Sequence, residues 1–225
     1  MALILNIDCA TDTASVGVSN NGRLLAFKES LNQKEHASFV HSAVREVLGK
    51  CSLSLKEIEA FAVTSGPGSY TGLRVGMATA KGFCYAFAKP LIAINTLEVM
   101  ATAAIEAAKD KAVDFLYCPL IDARRMEVFT AVYNSGLQSL LLPQPVILDE
   151  EFLKDYLKNN QVMLFGNGSN KLKQILKDDN AIFSDIKYNT SHLGFMANKA
   201  FNENRFSDVS YSEPEYLKNF FTVAK

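Results

Sequence analysis

The sequence predicts a duplicated α/β fold, in which two similar halves each combine a mixed sheet with flanking helices. Two segments, "LILNIDCATDTASVGVSNNGRLLAF" and "LYCPLIDARRMEVFTAVYNSGLQSL", share one pattern: an apolar strand ending in Ile-Asp, an alternating strand, a turn and a third strand. Each half then continues with a helix, a strand, a Gly-x-Gly-Ser turn and another helix. Because the order β-β-β-α-β-turn-α occurs twice, a duplication is predicted, with subdomains at 1–97 and 98–225.

Each element follows from a local signal. In the first half, "NNG" predicts a hairpin turn, "EHASFVHSAVREVLGK" an amphipathic helix, "AFAVTSG" a buried strand, and Thr71 the start of a second helix. In the second half, the same roles fall to "NSG", "EEFLKDYLKN", "QVMLFG" and "NKLKQILKD". Asp8 and Asp122 end the matching first strands, so they are expected at equivalent places in the two halves.

Composition and charge restrict the function classes. The formal net charge of the 225 residues is −1 and no dense Lys/Arg block occurs, which disfavours strong direct binding of nucleic acid. Cys9, Cys51, Cys84 and Cys118 are scattered without a CxxC pair, which indicates neither a disulfide framework nor a zinc site. The N-terminal apolar run is too short for a signal peptide, and no run has the length of a membrane span. We therefore expect a soluble, cytoplasmic protein.

The glycine-rich stretch "TSGPGSYTGLRVG" allows two interpretations. It fails as a phosphate-binding P-loop, because Gly72 is followed by Leu73 and Arg74 rather than by Lys-Ser/Thr. It also fails as a dinucleotide fingerprint, because Thr71 stands where the third glycine is required. The glycines either serve a tight strand-to-helix turn or let backbone N–H groups hold an anion.

The duplicated pattern resembles the actin–hexokinase–Hsp70 (ASKHA) superfamily, which has two ribonuclease-H-like halves. The resemblance implies that Asp8 and Asp122 border a cleft as residues for phosphate and metal, and that Gly166, Gly168 and Ser169 lie where that superfamily places adenosine. The alternative is that these residues are strand-end caps and turns inherited from a nucleotide-binding ancestor. Binding of ATP or ADP in a vestigial cleft is therefore left open.

A narrower resemblance rests on "NIDCATDTASVGV", "GPGSYTGLRVG", "LIDARRMEVF" and "EPEYL". In this order and spacing, over residues 3–217, they resemble the TsaB (YeaZ) family. That family is the bacterial partner subunit in the synthesis of threonylcarbamoyladenosine beside the tRNA anticodon. Two positions depart from the family pattern: Met126 stands where a glycine is frequent, and Lys218 stands where an arginine is usual.

The metal pair of the catalytic relative TsaD has no counterpart here. The resemblance places Thr96 and Met100 where TsaD carries His-x-x-x-His, and a hydroxyl and a thioether do not replace two imidazole ligands. His36 and His41 lie five residues apart on the predicted helix and do not share a face, while His192 fits a surface or capping position. No Gly-x-Ser-x-Gly nucleophile elbow occurs. We predict no metal site, no catalytic residue and no required cofactor.

Two helices are predicted to carry a partner interface. Small residues recur every fourth position on the second helix, where they permit close approach of another helix. The alternative is that both helices simply pack on their own sheet. The predicted interface residues are Phe39, Val40, Ala43, Val44 and Val47 of helix 35–50, and Gly72, Val75, Gly76, Thr79, Ala80 and Phe83 of helix 71–88.

The hypothesis is therefore a non-catalytic scaffold subunit that pairs with a TsaD homologue through these helices. The family resemblance implies further assembly with the ATPase TsaE, homodimers of free copies, contact with tRNA only through the complex, and no membrane. Two rival hypotheses remain open at this stage. One is an ATP-dependent phospho- or acyl-transferase that uses Asp8 and Asp122, and the other is a glycoprotease-like metallohydrolase.

Overall fold

The computed structural model describes residues 2–31 and 36–218. Within them, the first half contains β1 (Leu3–Asp8), β2 (Ala14–Asn20), β3 (Arg23–Ser30), α1 (His36–Lys50), β4 (Ala60–Gly66), α2 (Tyr70–Phe87), β5 (Leu91–Asn95) and α3 (Thr96–Ala108). The second half contains β6 (Leu116–Asp122), β7 (Glu127–Tyr133), β8 (Ser139–Ile147), α4 (Lys154–Leu157), β9 (Val162–Phe165), α5 (Ser169–Ile175), β10 (Ala181–Phe183) and α6 (Thr190–Asn202). Glu35, the predicted start of α1, lies outside the described residues.

The described chain divides into two compact units. The first runs to Ala103 and includes Lys187–Pro214. Its sheet has the order β3-β2-β1-β4-β5, in which β1, β2 and β3 are antiparallel neighbours while β4 and β5 run parallel to β1. Alternate residues of β1 serve the two faces: Leu5 and Ile7 join the core beneath α1 and α2, whereas Ile4 joins the core beneath α6.

The second unit comprises Ala104–Ile186 and the described segment from Glu215 onward. Its sheet has the order β8-β7-β6-β9-β10, again with three antiparallel strands followed by two parallel ones. Its core is a separate apolar cluster that includes Leu120, Val128 and Leu164. The strand order and directions therefore match those of the first sheet, which confirms the predicted duplicated fold.

The unit boundaries differ from the predicted division at residues 97 and 98. Helix α6, which the sequence assigns to the C-terminal subdomain, packs on the first sheet. Its buried residues Leu193, Ala197 and Ala200 share an apolar cluster with Ile4 of β1. This packing covers the face of the first sheet that α1 and α2 leave open, because Ala62 of β4 and Ile92 of β5 also turn apolar side chains to that face and join the same cluster.

No helix in the described part of the chain is long and apolar enough to cross a membrane.

Candidate functional site

Asp8, at the end of β1, is enclosed by its own unit. The residue is only 3% exposed. Its Oδ1 accepts hydrogen bonds from the Thr64 hydroxyl at 2.7 Å and from the Ala10 amide at 2.9 Å. The Tyr188 hydroxyl contacts the same carboxylate and lies 3.2 Å from Thr11 Oγ1. Burial and the negative charge of Asp8 raise the pKa of Tyr188 well above its ordinary value. The phenol therefore stays protonated and can donate to the carboxylate.

The glycine-rich loop between β4 and α2 packs against the backbone that follows Asp8. The Ser69 amide donates to the Ala10 carbonyl at 2.6 Å. A Cβ at Gly68 would lie 2.1 Å from the Ala10 carbonyl oxygen, and one at Gly72 would lie 2.0 Å from the Cys9 carbonyl oxygen. Ser69 also caps α2, since its Oγ accepts from the Gly72 amide. Gly68 and Gly72 are therefore required by close packing, which supports the first of the two interpretations of the stretch.

Asp122, at the matching end of β6, has a more open environment. Its side chain is 40% exposed and its Oδ1 accepts from Lys171 Nζ and from the Arg124 amide, both at 2.6 Å. Partial burial acts to raise the pKa of Asp122, but the hydrogen bonds from Lys171 and Arg124 outweigh it and lower that pKa below its ordinary value. The carboxylate is thus ionised and already neutralised by a lysine.

The second glycine turn lies beside Asp122. Asn167 Oδ1 accepts a hydrogen bond from the Asp122 amide at 2.9 Å, and the Gly168 amide donates to the Leu120 carbonyl at 2.9 Å. Ser169 Oγ donates to the carbonyl of Gly166, whose φ of 95° favours glycine. The structure therefore brings the predicted second-half residues Asp122, Gly166, Gly168 and Ser169 together, while Asp8 belongs to the first unit. Nucleotide binding at these residues stays a prediction.

Thr96 and Met100, which the family resemblance places where TsaD carries its two histidines, are buried. Thr96 begins α3 with no exposed surface, and Met100 lies one turn later at 3% exposure. His192 Nδ1 accepts from the Asn189 amide at 3.2 Å and so helps to cap α6, as predicted. Within the described residues no three His, Cys, Asp or Glu side chains are grouped as metal ligands.

Three of the cysteines are buried and unreactive. Burial is the main cause that raises the pKa of Cys84 and of Cys118 to about 12, and it raises the pKa of Cys9 as well. The thiolate is the nucleophilic form of cysteine, so these three thiols are not suited to nucleophilic attack near neutral pH.

The small-residue strip of α2 (Gly72, Gly76 and Ala80) faces the chain's own sheet. A Cβ at Gly76 would lie 3.3 Å from Val63 Cγ2, and Ala80 has no exposed surface. The strip therefore packs α2 against β1 and β4. Its assignment to a partner interface is wrong, because close approach to the sheet already accounts for every small residue in it.

The apolar stripe of α1 is buried in the same core. Its members lie in the apolar cluster beneath α1 and α2, none more than 8% exposed: Phe39, Val40, Ala43, Val44 and Val47. Their assignment to the interface is corrected for the same reason. Val75, Thr79 and Phe83 of α2 are only partly buried, so their role in an interface stays a prediction.

The outward side of α2 carries a second row of residues at helical spacing. We call Arg74, Ala78, Gly82 and Tyr85 the outer face of α2; all four are exposed, Tyr85 to 88%. Space is open around Gly82, where an added Cβ would meet no atom within 4 Å. The Arg74 guanidinium lies 4.0 Å above the Tyr70 ring. Sequence reasoning missed this row, although its spacing of three or four residues is visible beside that of the buried strip.

Helix α1 continues this surface. His41 is exposed and its ring packs edge-on against Phe83 of α2, with 6.1 Å between ring centroids. Arg45 is exposed one turn further along α1. The outward sides of the two helices therefore form one surface of mixed small, aromatic and cationic residues.

Comparison with known proteins places this fold in a family. The family model of TsaD, tRNA N6-adenosine threonylcarbamoyltransferase, matches residues 29–221. The tRNA threonylcarbamoyladenosine biosynthesis protein TsaB of Escherichia coli (strain K12) is 30% identical, and the match covers 96% of this chain and 94% of the relative. The protein of the same name from Bacillus subtilis (strain 168) is 29% identical, with 96% and 93% covered. The solved structure of YeaZ from Pseudomonas aeruginosa has the same fold, with a TM-score of 0.79 at 22% identity, over 96% of this chain and all of that one.

Proposed function

The chain belongs to the TsaB family, as its motifs predict, and we propose on that premise that it is a non-catalytic subunit that binds and supports a TsaD-like partner. The reaction served is threonylcarbamoyl transfer to the tRNA adenosine beside the anticodon. The observation that carries this proposal is that both strand-end carboxylates already bind side chains of this protein. Asp8 is held by Thr64, and Asp122 is paired with Lys171, so neither resembles an open ligand for magnesium phosphate.

The filled glycine loop supports the same conclusion. A phosphate cradle needs backbone N–H groups directed at open space. Here the Ser69 amide already donates to Ala10, and the Cβ positions of Gly68 and Gly72 fall on backbone oxygens. With Thr96 and Met100 in place of the histidine pair, a metal-dependent hydrolase and an ATP-dependent transferase are both less well supported than a partner subunit.

The partner surface follows from exposure. We place the TsaD-like partner on the outer face of α2 together with the exposed side of α1. Ala78 and Gly82 leave the backbone of α2 accessible to a second helix, and Tyr85 supplies a large exposed ring. Free copies of the chain would pair through the same surface, in competition with the partner.

Family membership is what supports the rest of the proposal, which concerns the other members of the assembly. A TsaE-like ATPase joins the complex, tRNA is reached through the complex, and the chain itself requires no cofactor. The setting is the cytoplasm, where the tRNA substrate is found. The chain's contribution is to stabilise and position the TsaD-like subunit.

The test is co-purification with the TsaD-like protein of the same organism, followed by an assay of threonylcarbamoyl transfer to tRNA. We expect transfer only when both chains are present, and no metal-dependent ATP turnover by this chain alone. Metal-dependent turnover by the isolated chain, or transfer by the partner that is indifferent to this chain, would contradict the proposal.

A matched pair of variants locates the surface. Gly82→Leu adds an isobutyl group in open space and improves helix propensity, so the fold should keep or slightly raise its stability. If Gly82 faces the partner, the same group should cost about 1–3 kcal/mol in binding, or about five- to 150-fold in Kd. Gly76→Leu should instead lower the melting temperature, because that residue packs on Val63. A stable Gly82→Leu chain that still binds with the original Kd would remove the outer face of α2 from the interface.

A further inference from the structure

The turn that joins β6 and β7 presents two adjacent arginines in an unusual backbone conformation. Arg124 and Arg125 have φ angles of 71° and 48°, and both are exposed. Positive φ is uncommon for residues other than glycine and asparagine, so the sequence holds two long cationic side chains where a smaller residue would be less strained.

Hydrogen bonds to its backbone fix the conformation of this turn. The Ala123 amide donates to the Glu127 carbonyl at 3.0 Å, and the Glu127 amide donates to the Arg124 carbonyl at 3.1 Å. The Arg124 amide is fixed by Asp122 Oδ1. These bonds use the backbone of Arg124 and no side-chain atom of either arginine, and both arginines are exposed at the surface.

The neighbouring carboxylates are already neutralised by lysines. Asp122 pairs with Lys171, and Glu127 pairs with Lys218. In the described part of the chain, neither Arg124 nor Arg125 has an acidic partner among the ion pairs. Two positive charges therefore remain uncompensated at this end of the second sheet, although the whole chain has a formal net charge of −1.

We propose that Arg124 and Arg125 form a contact site for the phosphate backbone of the RNA substrate. Guanidinium groups bind phosphate oxygens through paired N–H donors, and phosphate contacts position a protein on nucleic acid without reading its sequence. An exposed pair at the tip of a turn fits a polyanion that passes over the surface. A membrane surface is a weaker match, because it is recognised by clusters of about four to eight cations. The inference rests on the proposed function, which supplies tRNA as the polyanion.

The test compares charge-matched variants in the complex with the TsaD-like partner. The double variant Arg124→Gly/Arg125→Gly removes both cations and relieves the positive-φ strain, so it should fold at least as well as the parent. The control Arg23→Ala/Lys56→Ala removes two exposed cations of the first unit and changes the net charge equally. The variant Arg124→Lys/Arg125→Lys keeps the charge but loses the guanidinium fork.

The readout is anisotropy of a labelled tRNA transcript, titrated with each complex at several salt concentrations. Loss of two phosphate contacts should weaken binding at least about tenfold near 0.1 M salt and reduce the slope of log K against log salt by about 2. The lysine pair should keep the salt slope, and the control should bind as the parent does. An unchanged affinity and slope for the glycine pair overturns the inference, as does a lysine pair that binds as poorly as the glycine pair.

Two further arms identify the source of the phosphate. ATP and vesicles of anionic phospholipid are titrated against the same variants, and we expect no arginine-dependent binding of either. Arginine-dependent binding of ATP or vesicles without an effect on tRNA would overturn the assignment to RNA. Repeating the tRNA titration with the chain alone at about 50 mM salt separates this inference from the proposed function. Failure to bind the TsaD-like partner would refute the function while leaving the arginine effect measurable.

Discussion

The two halves of the chain repeat one topology but treat the carboxylate that ends the first strand in opposite ways. Asp8 ends β1 at 3% exposure, with its oxygen bound by the Thr64 hydroxyl. Asp122 ends β6 with its side chain 40% exposed, and Lys171 neutralises it. The same backbone position therefore belongs to the core in the first half and to a charged surface in the second.

The contrast extends to the turns that follow. The segment after Asp8 packs against the glycine loop between β4 and α2, where the Ser69 amide donates to the Ala10 carbonyl. After Asp122, the chain forms a tight turn with two exposed arginines at positive φ. Duplication thus preserved the hydrogen-bonding topology of the sheets, while the side chains at equivalent ends diverged. One end became packed and the other became cationic.

The largest expected effect compares the glycines of the two loops. Gly72→Ala should lower the free energy of unfolding by about 3 kcal/mol or more, because its Cβ would meet the Cys9 carbonyl oxygen at 2.0 Å and backbone cannot yield easily. Gly168→Ala should cost less, about 2 kcal/mol, because the nearest atom to its Cβ, at 2.9 Å, is a Val128 methyl group that can move, and the backbone carbons of Leu120 and Ile121 are no closer than 3.1 Å. Urea unfolding measures both.

The control for these variants lies on the same helix as Gly72. Gly82→Ala places a methyl group in open space and should raise the free energy of unfolding by about 0.5–1 kcal/mol. If Gly72→Ala were as harmless as Gly82→Ala, the close packing of the first loop on β1 would be refuted.

A second comparison removes the two carboxylates. Asp8→Ala should destabilise the fold by about 2–3 kcal/mol, because it leaves the buried Thr64 hydroxyl without its acceptor. Asp122→Ala should cost less, about 1 kcal/mol, since the Asp122 side chain is 40% exposed and Lys171 keeps its hydrogen bond to the Glu127 carbonyl. Neither change should weaken binding to the TsaD-like partner, because neither residue belongs to the outer face of α2.

A double-mutant cycle between Asp8 and Thr64 tests the cause. Thr64→Val should cost nearly the same as Asp8→Ala, and the double variant should cost less than the sum. Strict additivity would mean that the 2.7 Å hydrogen bond is not the reason for the sensitivity of this strand end.

Alkaline pH should distinguish Tyr188 of the first unit from Tyr117 of the second. The pKa of Tyr188 is raised well above 10, first by burial and then by the charge of Asp8. Its stabilising effect is complete below the unfolded pKa of about 10 and is lost as pH rises toward the folded pKa, because the unfolded chain then releases the proton first. The loss can reach about 1.4 kcal/mol per pH unit.

Tyr188→Phe should therefore flatten the fall in unfolding free energy above pH 10. Tyr117→Phe in the second unit should flatten it less, since burial and the charge of Asp114 raise the pKa of Tyr117 without a carboxylate contact like that of Asp8 with Tyr188. Tyr85→Phe, on the exposed side of α2, provides the control. Identical pH profiles for the parent and Tyr188→Phe would show that the Asp8–Tyr188 contact does not govern alkaline stability.

Much of the fold could be predicted because it rests on repeated short-range signals. The two Ile-Asp strand ends, the hairpin turns and the Gly-x-Gly-Ser turns gave the order of elements that both sheets show. The return of α6 to the first sheet was not predictable in this way. It depends on which sheet face is left open, and that is a long-range property of the packed chain.

The functional surface was harder to predict for a related reason. Gly76 and Gly82 lie on one helix and look alike in sequence, yet one packs within 3.3 Å of Val63 and the other meets no atom. Periodicity identifies the two sides of a helix. It does not say which side faces the sheet when both sides carry small residues. Only the register of α2 on β1 and β4 decides between them.

The smallest expected effect returns to the turns that follow the two carboxylates. Arg124→Gly should raise the free energy of unfolding by about 0.5 kcal/mol, because relief of a φ of 71° outweighs the added entropy of the unfolded glycine. In the first half, the turn after Asp8 (residues 9–13) contains no residue at positive φ. Thr13→Gly should therefore lower the free energy of unfolding by about 0.5–1 kcal/mol. The opposite signs make the test insensitive to errors common to both measurements. If Arg124→Gly destabilised the chain as Thr13→Gly does, the arginine would contribute to the fold itself, and its retention would need no RNA to explain it.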